Sequence, residues 1–78
     1  MIAIKYFGAV AEKTRSQGEG ISFSDLSLHQ LVASLEEKYE LNSISFSVAV
    51  NQKIVQDTAN YMLKSNDIVA LLPPFAGG

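Results

Sequence analysis

The sequence predicts an α+β roll, a mixed sheet of about five strands with one main helix packed across it. Three observations predict it. Short segments of period-two alternation recur at both ends of the chain, one central segment carries a helical apolar stripe with a marked start, and the apolar run Ile68-Val69-Ala70-Leu71-Leu72 is stopped by Pro73-Pro74.

Ile2, Ile4 and Tyr6 alternate with Ala3, Lys5 and Phe7, the pattern of a half-buried strand. Gly8 breaks it, and Ala9 to Arg15 reads as a short helical turn. Ser16-Gln17-Gly18-Glu19-Gly20 reads as a loop, followed by a return strand at Ile21-Ser22-Phe23-Ser24 with Ile21 and Phe23 inward. The period then changes: Leu28, Leu31, Val32, Leu35 and Tyr39 share one helical stripe, with Glu36, Glu37, Lys38 and Glu40 toward water. Ser27 with Gln30 three residues on reads as a capping box, and Leu26 against Leu31 as its hydrophobic staple. Asn42 can take the left-handed conformation that stops a helix. Phe46 to Val50 reads as a strand, Asn51-Gln52 as a tight turn and Lys53-Ile54-Val55 as the returning strand. Tyr61-Met62-Leu63 is expected to plug the core from a loop, and Ser65-Asn66-Asp67 to turn into the last strand, Ile68 to Leu72. Pro73 ends that strand because it has no amide proton for the ladder. The expected division is a folded body over 1–72 and an extended, flexible tail over 73–78 ending in Gly77-Gly78.

Composition narrows the function. At 78 residues with 47% hydrophobic content, the chain supports one core. It contains no cysteine, which removes thiol nucleophiles and thiolate-held metals, and a single histidine, His29, makes an all-protein metal site a poor expectation. Lys5, Lys13, Arg15, Lys38, Lys53 and Lys64 are scattered in a chain of formal charge −2, so no basic stripe offers itself to nucleic acid. The N-terminus has the features of neither a secretion signal nor a membrane span, and the expected location is the cytoplasm. Asp57 and Asp67 are turn residues whose spacing does not argue for paired acid–base work.

The tail is the main functional signal. Gly77 and Gly78 have no side chains, so they offer a free carboxylate on a thread thin enough to enter another protein's active site. With Tyr6-Phe7 closing the first strand, Val50-Asn51-Gln52 at the hairpin, Asp67 opening the last strand, and Leu72-Pro73-Pro74-Phe75-Ala76-Gly77-Gly78 at the end, nearly the whole chain resembles the ubiquitin-like β-grasp sulfur carriers of the molybdopterin synthase small-subunit type. Gly-Gly alone is weak evidence; the double proline ahead of it is more specific.

The resemblance implies a non-catalytic carrier for molybdenum cofactor (molybdopterin) biosynthesis. An E1-like adenylating enzyme, using ATP, would join Gly78 to AMP, a sulfur donor would convert it to a thiocarboxylate, and the loaded tail would deliver sulfur inside the large synthase subunit, in a heterotetramer. Gly78 and Gly77 are then the reactive positions, and Phe7, Ile54, Leu72, Pro73, Pro74, Phe75 and Ala76 meet the partners. No cofactor would be held by this chain itself. Strand parity agrees on one point: Phe7 shares a face with Lys5, and Ile68, Ala70 and Leu72 share one face of the last strand. Ala11 stands where the family commonly has arginine, Asn66 replaces a turn glycine, Ile68 replaces a charged residue, and Phe75 is bulkier than usual. A thiamine-type sulfur carrier, a protein modifier conjugated through Gly78, and an interaction module with an inert tail are the alternatives.

Overall fold

The computed structural model describes residues 1–22 and 27–73. Their elements run β1 (Ile2–Tyr6), α1 (Gly8–Thr14), β2 (Gly18–Ile21), α2 (Leu28–Tyr39), a 3-10 turn (Leu41–Ser43), β3 (Ser47–Val50), β4 (Lys53–Ile54) and β5 (Ile68–Leu72). The five strands form one mixed sheet in the order β2-β1-β5-β3-β4, with β1 and β5 parallel and the other neighbours antiparallel. This is the α+β roll that the alternation predicts.

Register explains the core. Ile4 and Val50 both lie opposite Val69, while Tyr6 and Val48 both lie opposite Leu71, so each row presents apolar side chains to one face. Leu28, Leu31 and Leu35 of α2 cover that face, joined by Val10, Leu41 and Leu63, and all are buried. The α2 start is as the sequence states: Ser27 Oγ accepts from Gln30 N–H at 3.2 Å and Gln30 Oε1 accepts from Ser27 N–H at 3.0 Å. The proposed staple partner Leu26 falls outside the described residues, as do Phe23, Ser24 and Pro74 to Gly78.

Three expectations are corrected. The helix is stopped by Glu40, not Asn42: Glu40 adopts φ 57° and its N–H bonds Glu36 O. That left-handed residue turns the chain so that Leu41 enters the core, and Asn42 lies in the 3-10 turn beyond. Of Tyr61-Met62-Leu63 only Leu63 is a core plug; Tyr61 is half-buried, and Met62 is exposed and bridges to Ser27. The second strand lies earlier than expected, because the glycines expected to form a loop are themselves the strand.

Gly18 pairs with Lys5 and Gly20 with Ala3. A Cβ on Gly18 would stand 2.5 Å from Ile4 O, so this edge needs glycine to approach β1 closely. Glu19, between the glycines, is opposite Ile4 and points to the helix side. There its Oε2 accepts the hydroxyls of Tyr6 at 2.5 Å and Tyr39 at 2.6 Å, joining β2, β1 and α2 through one oxygen. The tyrosine rings meet edge-on at 5.9 Å. Hydrogen bonds from Tyr39 and then Tyr6 hold the Glu19 carboxyl below its ordinary value. Burial, reinforced by Glu19, pushes the Tyr6 hydroxyl above the phenol range.

Candidate functional site

Parity sends the other half of each strand to the face opposite the helices. Ile54, Ala49, Ala70 and Lys5 form one continuous cross-strand row over β4, β3, β5 and β1. Ala49 and Ala70 are short and stand opposite each other, so the middle of this face is low. Around it rise Phe7, 44% exposed, Ile54 and Ile68, each 41% exposed, and half-buried Leu72. The result is a depression of about 500 Å³, lined also by Asn51 and Gln52, in which Lys5 is the single charged group among the described residues. Contiguous exposed apolar surface of this kind is the usual mark of a contact site.

The rim beside β3 and β4 is held by polar bonds. Asn51 and Gln52 have φ 50° and 72°, the signature of a two-residue primed turn between these strands. Asn51 N–H donates to Ile68 O at 2.8 Å, its Oδ1 accepts from Ile68 N–H at 3.0 Å, and its Nδ2 donates to Asp67 Oδ1 at 3.0 Å. Asp67, buried, takes Lys64 N–H on its other oxygen at 2.8 Å. Asp67 therefore fixes the hairpin to the start of β5. Asn66, at φ 71°, supplies the left-handed turn residue ahead of it.

At the opposite end of β5, Leu72 is followed by exposed Pro73 at the root of the tail. Phe7 N–H donates to Leu71 O at 3.1 Å, which ties the end of β1 to this root. Among the described residues no group of His, Cys, Asp or Glu could hold a metal ion, and no helix is long and apolar enough to cross a membrane.

The ThiS family model matches residues 4–78. The chain belongs to the ThiS family. Solved structures similar to this ThiS family member include a putative molybdopterin converting factor subunit 1 from Pyrococcus furiosus, 20% identical, TM-score 0.81, covering 95% of this chain and 97% of that one. A chain in the complex of subunits 1 and 2 of molybdopterin-converting factor from Helicobacter pylori is 29% identical, TM-score 0.71, covering 99% and 97%. Small archaeal modifier protein 1 of Haloferax volcanii is 19% identical, TM-score 0.77, covering 95% and 97%. The fold shared with these proteins is the ubiquitin-like β-grasp.

Of the residues the sequence singles out, the structure of this ThiS family member brings Phe7, Ile54 and Leu72 to one depression, and exposed Pro73 directly follows Leu72 in the chain. Pro74, Phe75, Ala76, Gly77 and Gly78 lie outside the described residues. Lys5, Ala49 and Gln52 also line the depression. Parity already puts Lys5 beside Phe7, but the place of Ala49 depends on cross-strand register, which alternation within one strand does not carry. Ala11 is half-buried against the core. His29 is exposed on α2.

Proposed function

We propose that this chain is a sulfur carrier whose reactive group is the α-carboxyl of Gly78, serving synthesis of a molybdenum-binding pterin. The observation that carries the proposal is continuity: β5 contributes Leu72 to the apolar depression and leads directly into Pro73. A partner seated on the depression would thus meet the tail root at a set distance. Residues 74–78 span at most about 18 Å at roughly 3.3–3.6 Å each, enough to enter a partner's pocket while the body stays outside.

An ionised α-carboxylate is a weak electrophile, with an ordinary pKa of about 3.3–3.7. In the proposed sequence, its oxygen attacks the α-phosphorus of ATP on an adenylating partner and expels pyrophosphate. Sulfide-level sulfur released by a donor then attacks the carbonyl carbon of the acyl-adenylate and expels AMP, leaving a thiocarboxylate with no change of oxidation state. The loaded tail enters a larger synthase subunit, where two successive carriers would supply the two sulfurs of a dithiolene. The complex of subunits 1 and 2 known for the Helicobacter pylori protein supports a large-subunit partner. The chain is then a co-substrate, and pterin chemistry is the partner's.

Likeness to the small archaeal modifier protein favours a second reading, transfer of the activated Gly78 carbonyl to a lysine of another protein. Intact-protein mass spectrometry of the chain recovered from cells separates the two. A carrier shows the mass difference of sulfur for oxygen at Gly78; a modifier appears as larger conjugates. Absence of both, with cofactor synthesis unchanged when one residue is appended after Gly78, refutes the proposal.

A further inference from the structure

Gly8 is the first residue of α1 and stands at φ 57°, a left-handed conformation that side-chain-bearing residues seldom take. A Cβ there would lie 2.7 Å from Cγ of Pro73 and 3.5 Å from its Cδ. The ring of Pro73 therefore rests on the bare backbone of Gly8. The topology produces this contact. β1 and β5 run parallel with Tyr6 opposite Leu71, so the next residues, Phe7 and Leu72, come side by side, and Gly8 and Pro73 after them. Phe7 N–H on Leu71 O keeps that register to the end of the strands.

From this geometry we infer that Gly8 is a positioning residue, a saddle that receives the Pro73 ring and sets the direction in which the C-terminal tail leaves the body. Proline makes the contact directional, because its ring is part of the backbone and cannot rotate aside. To make room for a Cβ at an ordinary carbon separation of about 3.5–4.0 Å, the ring must retreat by about 1 Å, carrying the chain with it. Pro73 is the point at which the body hands over to the five residues that follow it in the sequence. The functional consequence rests on the sulfur-carrier reading: the depression would set how tightly a partner binds, and Gly8 would set whether the carboxylate arrives in line.

The test is a double-mutant cycle on the full chain with Gly8→Ala, Pro73→Ala and both. The first readout is ATP–pyrophosphate exchange by a ThiS-type adenylating enzyme. Gly8→Ala should lower kcat by about 10–100-fold, the usual penalty for misplacing a reacting group by an ångström, with KM for the carrier unchanged. Pro73→Ala should lower it several-fold by loosening the root. The double variant should match Pro73→Ala in kcat, because both changes reach the tail through one contact, while the strain of alanine at φ 57° remains as a lower melting temperature in both Gly8→Ala proteins. A merely structural effect of Gly8→Ala would lower the melting temperature, leave kcat of the folded protein alone and add to Pro73→Ala. Additive effects on kcat, or a fall in kcat/KM carried by KM, overturn the inference.

The second readout needs no enzyme. The chain has no cysteine, so Ala76→Cys takes a single nitroxide. The set of body amides it broadens should move in Gly8→Ala and return toward the Pro73→Ala pattern in the double variant; an unmoved pattern overturns the inference. If Gly8→Ala does not fold, Pro73→Ala decides alone, its unchanged kcat and broadening counting against the saddle. If the wild type is not adenylated at all, the functional reading fails, while the nitroxide cycle still decides the positioning role.

Discussion

Replacing Glu19 by glutamine should destabilise the fold, because one oxygen of Glu19 holds three elements together. Tyr6 and Tyr39 both donate to Oε2, at 2.5 and 2.6 Å. Hydrogen bonds to a charged acceptor contribute about 1.5–3 kcal/mol net, against about 0.5–1.5 for neutral pairs. Glutamine can keep its carbonyl at the Oε2 position, so both bonds survive in the weaker form, a difference of about 2–3 kcal/mol for the two together. The Glu19 side chain is 24% exposed, and solvent screening reduces this to about 1–2 kcal/mol. For a domain of this size that corresponds to a melting temperature roughly 5–15 °C lower at pH 7. Lys38, whose side chain is 59% exposed and lies 3.5 Å from Oε1, is a screened surface partner, and Lys38→Met should leave the melting temperature nearly unchanged.

Acidity supplies the sharper assay. The Glu19 carboxyl is held below its ordinary value of 4.5, first by Tyr39 and then by Tyr6, so the folded state prefers it ionised. Its contribution is fully present above that value and is lost as pH falls through the lower, folded value. The gap in melting temperature between wild type and Glu19→Gln, measured by circular dichroism from pH 7 downward, should therefore narrow below about pH 4.5. Tyr6 acts at the other end. Its raised pKa means that its contribution is intact below its ordinary value of 10.0 and is lost as pH rises beyond it. Equal melting temperatures at pH 7, or a gap that stays constant into acid, would refute the reasoning.

Leu72→Glu should leave the melting temperature within a few degrees of wild type. It should also raise the calorimetric Kd for a large synthase subunit at least about tenfold, since docking then loses part of a leucine burial worth about 1.5–3 kcal/mol and desolvates a carboxylate; an unchanged Kd removes the depression from the interface. Asp67→Ala strips partners from Asn51 Nδ2 and Lys64 N–H, and urea unfolding should show a loss of about 2–4 kcal/mol. A loss below about 1 kcal/mol would mean that water replaces both bonds. Gly18→Ala places a methyl 2.5 Å from Ile4 O and should cost about 1–3 kcal/mol by the same measurement, whereas a neutral result would restore a loop at residues 18–20.

Where one local signal sufficed, the sequence was enough. The α2 start needed Ser27 and Gln30 alone, and the turn at Asn51-Gln52 needed a short polar pair between two apolar runs, led by an asparagine that takes positive φ readily. The misplacement of β2 had the opposite cause. Gly18 and Gly20 read locally as breakers, but their role is set by a neighbour distant in sequence, the backbone of β1. Helix termination at Glu40 was hidden for a similar reason, since core burial of Leu41 overrides the weak preference of glutamate against the left-handed region. Of the candidate site, Phe7, Leu72 and Ile68 were legible from parity. The pairing of Ala49 with Ala70, whose face parity also gives, was not, because alternation within one strand says nothing about which strands become neighbours.

The placement of β5 connects these observations. It lies between β1 and β3, bonded on both sides, with Val69 and Leu71 in the core and Ile68, Ala70 and Leu72 on the open face. A strand at the sheet edge could present the same side chains, but it could fray independently of the body. With both neighbours in place, the depression and the tail root belong to one rigid strand, so a partner held by the first has the second at a constant distance. Parallel pairing with β1 adds the remaining constraint. Had β1 run the other way, the residue beside Pro73 would have come from its start, near Met1. Because the strands run together, the turn that ends β1 is delivered to the point where β5 ends, and a glycine in that turn can receive the proline.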